Sequence, residues 1–155
     1  MIVMKVLFVC LGNICRSPSA EAVLRKQASD SGVDLVIDSA GTAAYHIGKA
    51  PDARSQQAAL SRGIDMSSLK ARQAVPADFD EFDFIFAMDK ENHQNLKSIQ
   101  PPTSKATLQL FLKQYGTMGT HEVPDPYYGG ADGFETVLDL LADGCEQFLK
   151  SMNNK

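Results

Sequence analysis

The sequence predicts a parallel, doubly wound α/β sheet with helices on both faces. Short apolar runs alternate along the chain with segments in which apolar residues recur at helical spacing. This alternation is typical of strand–helix–strand units with parallel strands. The first run, residues 5–10, is apolar without interruption after its lysine, as expected of a strand that is covered on both faces.

The first strand is followed by a helix after a short loop. Gly12 and Asn13 end the strand, and Ser17-Pro18 predicts a helix start with Ser17 as the N-cap and Pro18 at the first helical position. Ala20, Val23, Leu24 and Ala28 then recur at helical spacing.

The remaining elements follow from apolar spacing and from Gly63 as a helix stop. They are a strand at residues 35–37, a helix at 53–61, a strand at 82–88, a helix at 90–98 and a shorter strand near 106–110. Near the end, apolar residues from Phe134 to Leu149 mark one face of a long amphipathic helix. Cys145 lies on that face, so we expect it to pack in the core.

Length and charge limit the class of protein. The chain has 155 residues, of which 44% are apolar and 22% charged, and it contains no repeat or linker, so we predict one domain over residues 1–155. A chain of about 150 residues buries roughly 70% of its unfolded surface, so its stability requires no disulfide. The net charge of −4, without clustered cations, argues against non-specific nucleic-acid binding.

Apolar patterning and cysteine content predict a cytoplasmic protein. No apolar run approaches the roughly 20 residues that span a bilayer, and none fits a signal peptide. The three cysteines, Cys10, Cys15 and Cys145, are an odd number, which favours free thiols over a disulfide framework.

The loop after the first strand carries the strongest chemical signal, since a cysteine ends the strand and an arginine begins a helix. Backbone N–H groups at a helix N-terminus bind anions, and an arginine grips two phosphate oxygens as a planar fork. The same positive field favours a thiolate at Cys10, so a nucleophile and an oxyanion receptor share one loop. The alternative is a buried cysteine followed by a solvent-exposed arginine. The loop reads Cys10-Leu11-Gly12-Asn13-Ile14-Cys15-Arg16-Ser17.

If this loop attacks a phosphate ester, the leaving group needs a proton, and Asp125 is a candidate donor. Asp125 precedes Pro126, which stiffens the backbone and can hold a carboxyl group over a pocket, although an Asp-Pro pair also fits an ordinary turn. Tyr127, Tyr128 and Tyr45 could form aromatic walls around a planar ring, or an exposed surface patch.

These segments together resemble the low-molecular-weight protein tyrosine phosphatases, and the likeness covers nearly the whole chain. Its separated motifs are residues 6–18, Asp38-Ser39-Ala40, Ala71-Arg72-Gln73, Met88-Asp89 and residues 125–129. The resemblance implies a flavodoxin-like fold with a mainly four-stranded parallel sheet and a phosphate-binding loop between the first strand and the first helix. It also implies hydrolysis of phosphotyrosine and small aryl phosphates through a cysteinyl phosphate, without a metal or cofactor.

The resemblance also assigns roles to residues. It makes Cys10 the nucleophile, Arg16 the phosphoryl-binding residue and Asp125 the general acid. Ser17 is similar to a serine that stabilises the thiolate, and Asn13 and Ser39 match residues that hold the shape of the loop.

The same likeness assigns the substrate contacts and a redox pair. Leu11 and Ile14 resemble apolar contacts at the floor and rim of the pocket; relatives that act on phosphoarginine have threonine in place of Ile14, so isoleucine favours phosphotyrosine. Cys15 matches a cysteine that forms a reversible disulfide with the nucleophile, although it also fits a small apolar loop filler. The expected partners are a tyrosine-phosphorylated protein and inorganic phosphate, as product and inhibitor, with the chain a monomer or weak homodimer.

One departure from some relatives stands out. Residues 66–73 lack a histidine whose ring joins the hydrogen bonds behind the loop asparagine, so the sequence does not show what supports Asn13.

Three other functions compete with the phosphatase. An arsenate reductase shares the fold and the loop but needs further cysteines after the third strand, and residues 82–96 contain none. A non-catalytic phosphate or phosphopeptide binder would have lost Cys10 or Asp125, and both are present. A Cys–His hydrolase would tie a histidine to Cys10, and no local signature does so.

The histidines predict no metal site. His121-Glu122 begins like a zinc protease motif, but Asp125 stands where the second histidine is needed. His46 and His93 lack ligand partners at useful spacing, so we expect all three histidines to be surface or loop residues.

Overall fold

Four apolar segments form one parallel sheet in the computed structural model, which describes residues 3–127 and 132–153. The strands are β1 (Met4–Cys10), β2 (Leu35–Gly41), β3 (Phe84–Ala87) and β4 (Thr107–Leu110). Their order is β2-β1-β3-β4, and every neighbouring pair is parallel. This is the strand order with which a flavodoxin-like sheet begins, so the predicted fold class is confirmed. The prediction of one domain over residues 1–155 stays a prediction.

Helices cover both faces of this sheet. Those of the described residues are α1 (Arg16–Asp30), α2 (Ala53–Leu60), α3 (Asp78–Glu81), α4 (Lys90–Ile99), α5 (Phe111–Tyr115) and α6 (Asp132–Asn153). The helices predicted near residues 17, 53, 90 and 134 are all present. The short helices α3 and α5 were not predicted, because four or five residues carry too little periodicity to be recognised.

The predicted start of α1 is wrong. Helix α1 begins at Arg16, with Cys15 in the N-cap position and no side-chain cap, so Ser17 and Pro18 lie inside the first turn. The hydroxyl of Ser17 instead faces the sulfur of Cys10 at 2.9 Å. Serine is a good cap only when its side chain is free to bond the helix N–H groups, and here a long-range contact occupies it.

Two strand boundaries also differ from the prediction. Strand β2 continues through Asp38-Ser39-Ala40 to Gly41, four residues beyond the predicted end. Its polar residues are tolerated because Ser39 bonds Asn13 in the loop after β1 and Asp38 bonds Arg72. Strand β3 starts at Phe84, later than predicted, because Phe82 ends the short helix α3.

Alternate residues of β1 belong to two different cores. Val6, Phe8 and Cys10 lie in the larger core with α1 and α6, whereas Leu7 and Val9 lie in the smaller core on the other face of the sheet. This alternation follows from the two-residue period of a strand. It directs the side chain of Cys10 to the α1 side, where the loop that follows β1 closes over it.

A glycine at the end of β2 lets that loop approach the sheet. Gly41 pairs with Cys10 in the register of β1 and β2. A β-carbon at Gly41 would lie 2.7 Å from the carbonyl oxygen of Leu11 and 3.2 Å from the backbone nitrogen of Asn13. The loop therefore packs directly on backbone, which only glycine permits here.

We expect Gly144→Ala to destabilise the protein, although alanine is the better helix former. A β-carbon at Gly144 in α6 would lie 2.7 Å from Cε2 of Phe111, whose ring is completely buried. Overpacking costs about 1–3 kcal/mol, against a gain of about 1 kcal/mol in helix propensity. Urea unfolding measures the sum. Gly133→Ala is the matched control, since its nearest heavy atom lies at 3.4 Å; an equal response of both variants would contradict the packing argument.

Candidate active site

Cys10 lies at the bottom of a loop that curls around its sulfur. Only 2% of the residue is exposed. The N–H of Asn13 donates to Sγ over 3.2 Å, and the hydroxyl of Ser17 lies 2.9 Å from the same atom. Two donors and the N-terminus of α1 therefore face the sulfur, an arrangement that favours negative charge there.

Asn13 fixes the shape of this loop. Its φ angle of 57° makes it the one non-glycine residue with positive φ among those the structure describes, a conformation that asparagine tolerates better than most residues. Its amide nitrogen donates to the hydroxyls of Ser17 (2.8 Å) and Ser39 (3.0 Å). Its amide oxygen accepts the backbone N–H of Arg72 over 3.0 Å. This backbone bond supports Asn13 although residues 66–73 contain no histidine.

A second layer supports Ser39 and Arg72. The hydroxyl of Ser39 donates to Glu21 over 2.8 Å, and Glu21 also accepts from Arg25. Burial raises the pKa of Glu21, and the hydrogen bonds from Arg25 and Ser39 oppose that rise. The guanidinium of Arg72 binds Asp38 and Asp78. The sequence analysis did not name Glu21, and quoted Asp38 and Arg72 without a role.

The guanidinium of Arg16 is buried in the site and has several partners. Its Nη1 donates to Oδ2 of Asp89 over 2.5 Å and to the carbonyl oxygen of Val123 over 3.1 Å. Burial alone would lower the pKa of Arg16, but the charges of Cys10 and Asp89 outweigh burial and raise it. Asp89 also caps α4 by accepting the N–H of Asn92 over 2.8 Å.

Asp89 is a site residue whose role the sequence analysis missed. The segment Met88-Asp89 was noted as a motif without a function. Its place directly after β3, next to the end of β1, could have suggested that its carboxylate faces the loop, since parallel strands end at the same edge.

The carboxylate of Asp125 lies at the mouth of the site, next to the guanidinium of Arg16. One of its carboxylate oxygens lies 3.8 Å from Nη2 of Arg16, and the other accepts the N–H of Tyr127 over 3.0 Å. The side chain is 38% exposed. The segment that carries it is anchored where the N–H of Val123 donates to the carbonyl oxygen of Met88 over 2.8 Å.

The side chains of Cys10, Arg16 and Asp125 line one cavity of about 240 Å³. The cavity gathers most of the residues predicted from the sequence, including Tyr45 and Tyr127, whereas Asn13, Ser17 and Ser39 lie behind it. Tyr128 lies outside the described residues. The lining consists of Cys10, Leu11, Gly12, Ile14, Cys15, Arg16, Tyr45, His46, Asp125 and Tyr127.

His46 is a further lining residue that the sequence analysis left without a role. It lies in a loop, as expected, but its ring packs over the loop that follows β1, so that a β-carbon at Gly12 would lie 3.0 Å from its Cδ2. Gly12 therefore makes room for the imidazole at the cavity mouth. A single histidine carries no sequence signal for such a place.

The other two cysteines differ from Cys10 in their surroundings. Burial raises the pKa of Cys15 to about 12, although a hydrogen bond with Ser55 opposes the rise. Cys145 is completely buried in the core, as expected, and its pKa is raised by burial. All three cysteines are free thiols. The redox pairing of Cys10 with Cys15 stays a prediction.

Within residues 3–127 and 132–153, no group of three or more histidine, cysteine, aspartate or glutamate side chains is placed to hold a metal ion. No helix in the same part of the chain is both long and apolar enough to cross a membrane.

Comparison with known proteins decides the family. The family profile described as "Low molecular weight phosphotyrosine protein phosphatase" matches residues 5–155. The chain belongs to this family. A putative low molecular weight protein-tyrosine-phosphatase of Synechocystis is 44% identical to it, over 98% of both chains.

Solved structures of this phosphatase family agree in fold. A protein tyrosine phosphatase from Entamoeba histolytica superposes with a TM-score of 0.91 at 43% identity, over 97% of both chains. An arginine phosphatase from Drosophila superposes with a TM-score of 0.90 at 35% identity, over 96% of this chain and 98% of the other. Family membership makes the chain a hydrolase of the protein-tyrosine phosphatase class, as the sequence motifs predicted.

We expect Asn13→Ala to destabilise the fold. A non-glycine residue without local side-chain bonds loses about 1–2 kcal/mol at positive φ, and the buried groups left without Asn13 lose about 1–3 kcal/mol. The free energy of unfolding should therefore fall by roughly 2–5 kcal/mol. Asn13→Gly is the control that removes only the hydrogen bonds. Equal stability of the two variants would show that backbone strain contributes nothing.

Proposed function

We propose that the chain hydrolyses phosphotyrosine through a cysteinyl phosphate, with Cys10 as nucleophile, Arg16 as phosphoryl-binding residue and Asp125 as general acid and base. The observation that carries this proposal is the convergence of these three side chains on one cavity, with the sulfur at its floor and the carboxylate at its mouth. Ser17, Asn13 and Ser39 take the supporting roles that the family resemblance implies.

In the first step, the thiolate of Cys10 attacks phosphorus and the bond from phosphorus to the phenolic oxygen breaks. The backbone N–H groups of the loop and the guanidinium of Arg16 hold the phosphoryl oxygens as charge develops on them. Asp125 gives its proton to the departing phenolate. Because Asp89 and the carbonyl of Val123 hold Nη1 of Arg16, the plane of the guanidinium is set before substrate arrives.

In the second step, water attacks the cysteinyl phosphate. Asp125, now ionised, takes the proton of that water, and inorganic phosphate forms as the bond from sulfur to phosphorus breaks. The electron pair returns to Sγ of Cys10, where the N–H of Asn13 and the hydroxyl of Ser17 stabilise the thiolate. No cofactor takes part.

The apolar lining supports an aryl phosphate as substrate. Leu11 and Ile14 contribute apolar surface, and the rings of Tyr45 and Tyr127 stand at the cavity wall. Aromatic side chains favour a flat ring between them by about 0.5–1.5 kcal/mol beyond burial. Phosphoarginine is the second candidate substrate, because the Drosophila arginine phosphatase shares the fold. The aliphatic side chain of Ile14 cannot hydrogen-bond the planar, cationic guanidinium group of phosphoarginine.

We also propose a cellular location, an oligomeric state and partners for the enzyme. We infer a cytoplasmic enzyme, a monomer or weak homodimer, whose partners are tyrosine-phosphorylated proteins and inorganic phosphate as product and inhibitor. The excess of acidic over basic residues, 19 against 15, supports a phosphoprotein over a nucleic acid as partner.

The proposal is tested with p-nitrophenyl phosphate and phosphotyrosine peptide in the presence of EDTA. We expect wild-type activity to survive EDTA, Cys10→Ser to abolish it, and Asp125→Asn to lower kcat/KM for the peptide by about 10²- to 10⁴-fold, as loss of a general acid does. Asp30→Asn, at an exposed aspartate of α1, is the control. Full activity of Cys10→Ser, or loss of wild-type activity in EDTA, would refute the mechanism.

Ile14→Thr tests the choice between phosphotyrosine and phosphoarginine. Removal of apolar contact worth about 1 kcal/mol should lower kcat/KM for phosphotyrosine by roughly fivefold, and the threonine hydroxyl should raise activity on phosphoarginine. Ile47→Thr is the matched control, since Ile47 is 57% exposed and lies outside the cavity lining. An unchanged ratio of the two activities in Ile14→Thr would remove Ile14 from substrate selection.

A further inference from the structure

Arg54 occupies a junction between the phosphate-binding loop and the segment that carries Asp125. It is the second residue of α2, and about half of its side chain is exposed. Despite that exposure, its guanidinium has partners on several sides: a carboxylate, a backbone carbonyl and two aromatic rings. An arginine that only improved solubility would not need this set.

One side of the junction leads to the phosphate-binding loop. The N–H of Asp52 donates to the carbonyl oxygen of Ile14 over 2.8 Å. The carboxylate of Asp52 caps α2 by accepting the N–H of Arg54 over 2.8 Å, and it also accepts from Nε (3.1 Å) and Nη2 (3.0 Å) of the same arginine. These bonds lower the pKa of Asp52. The fork of Arg54 is thereby fixed relative to Ile14.

The other side of the junction leads to Asp125. Nη2 of Arg54 donates to the carbonyl oxygen of Tyr127 over 3.1 Å. The guanidinium carbon lies 5.4 Å from the ring centre of Tyr127 and 4.8 Å from that of Phe134, within the range of cation–π attraction. The N–H of Tyr127 in turn donates to the carboxylate of Asp125 over 3.0 Å.

A continuous path of hydrogen bonds therefore runs from Ile14 through Asp52, Arg54 and Tyr127 to Asp125. We infer that Arg54 is a positioning residue that holds the acid at a fixed distance from the phosphate-binding loop. The inference rests on the proposed function, because it presupposes that Asp125 protonates the leaving group. Arg54 does not line the cavity, so it acts through Tyr127 and not on the substrate.

Arginine suits this position for a geometric reason. Its planar fork bonds Asp52 and the Tyr127 carbonyl at once while its faces lie against aromatic rings. A lysine has one charged point and cannot make both contacts in a plane. Loss of the fork should let the Tyr127 segment drift and misplace Asp125, and small misplacements of a catalytic group lower rate strongly.

A series of leaving groups separates acid positioning from other effects. The substrates are phenyl, p-nitrophenyl and dinitrophenyl phosphate, in order of decreasing leaving-group basicity, and kcat/KM covers the step in which the leaving group departs. A basic leaving group needs the proton of Asp125, and a good one does not. For Arg54→Ala we expect about a tenfold loss on phenyl phosphate, part of the ~10²–10⁴-fold that an acid supplies, and almost none on dinitrophenyl phosphate.

Two reference variants are needed to interpret the leaving-group dependence of Arg54→Ala. Asp125→Asn should show the full dependence on leaving group. Arg62→Ala is the matched control, because Arg62 follows α2 and binds Glu135 and Asp139 of α6, and among the described residues it makes no hydrogen bond to the segment of Asp125. It should leave all three substrates unaffected. Thermal unfolding of each variant confirms that it is folded.

The outcomes distinguish the inference from the function on which it rests. If wild type is inactive, or Asp125→Asn loses activity equally on all three substrates, the proposed function fails and the inference fails with it. If Asp125→Asn shows the dependence but Arg54→Ala is unchanged, or loses activity equally on all substrates, only the positioning role is overturned. Arg54→Lys should resemble Arg54→Ala; full activity in the lysine variant would assign the effect to charge and overturn the role of the fork.

Discussion

The hydrogen bonds of the Asn13 side chain are the constraint on which the site depends. The loop between β1 and α1 curls around the sulfur of Cys10, and its backbone turns through a positive φ at Asn13. Bonds from Asn13 to Ser17, Ser39 and the N–H of Arg72 hold that turn. Because the partners come from α1, β2 and a distant loop, the proposed receptor for the phosphoryl group forms only when the sheet has assembled.

The buried charge of Arg16 is compensated by groups that also stabilise other parts of the site. Arg16 is only 3% exposed, and an unpaired cation at that depth would cost several kcal/mol. Asp89 supplies the compensating charge and at the same time caps α4. The carbonyl of Val123 accepts from the same guanidinium nitrogen. Arg16, the proposed phosphoryl-binding residue, is thereby tied to the segment that leads to Asp125, the proposed general acid.

Local pattern made the sheet, the long helices and the phosphate-binding loop predictable. The uninterrupted apolar run of β1 and the helical spacing after Ser17 depend only on neighbouring residues, and the loop has a composition that its chemistry requires. Contacts between distant segments were not predictable in this way. The amide oxygen of Asn13, for example, accepts the N–H of Arg72, which lies 59 residues further along the chain. His46 and Arg54 gain their places only through the fold, because no local spacing marks them.

The alternation of β1 between two cores has a consequence for how the nucleophile is aimed. Cys10 faces the α1 side because it lies an even number of residues from Val6 and Phe8, which fill the core there. The direction of the Cys10 side chain therefore depends on whether this spacing is even or odd. Adding or removing one residue within β1 would exchange the two faces of the strand and point the sulfur at the opposite core. The packing of a few apolar side chains, remote from any phosphate, thus decides on which side of the sheet chemistry can occur.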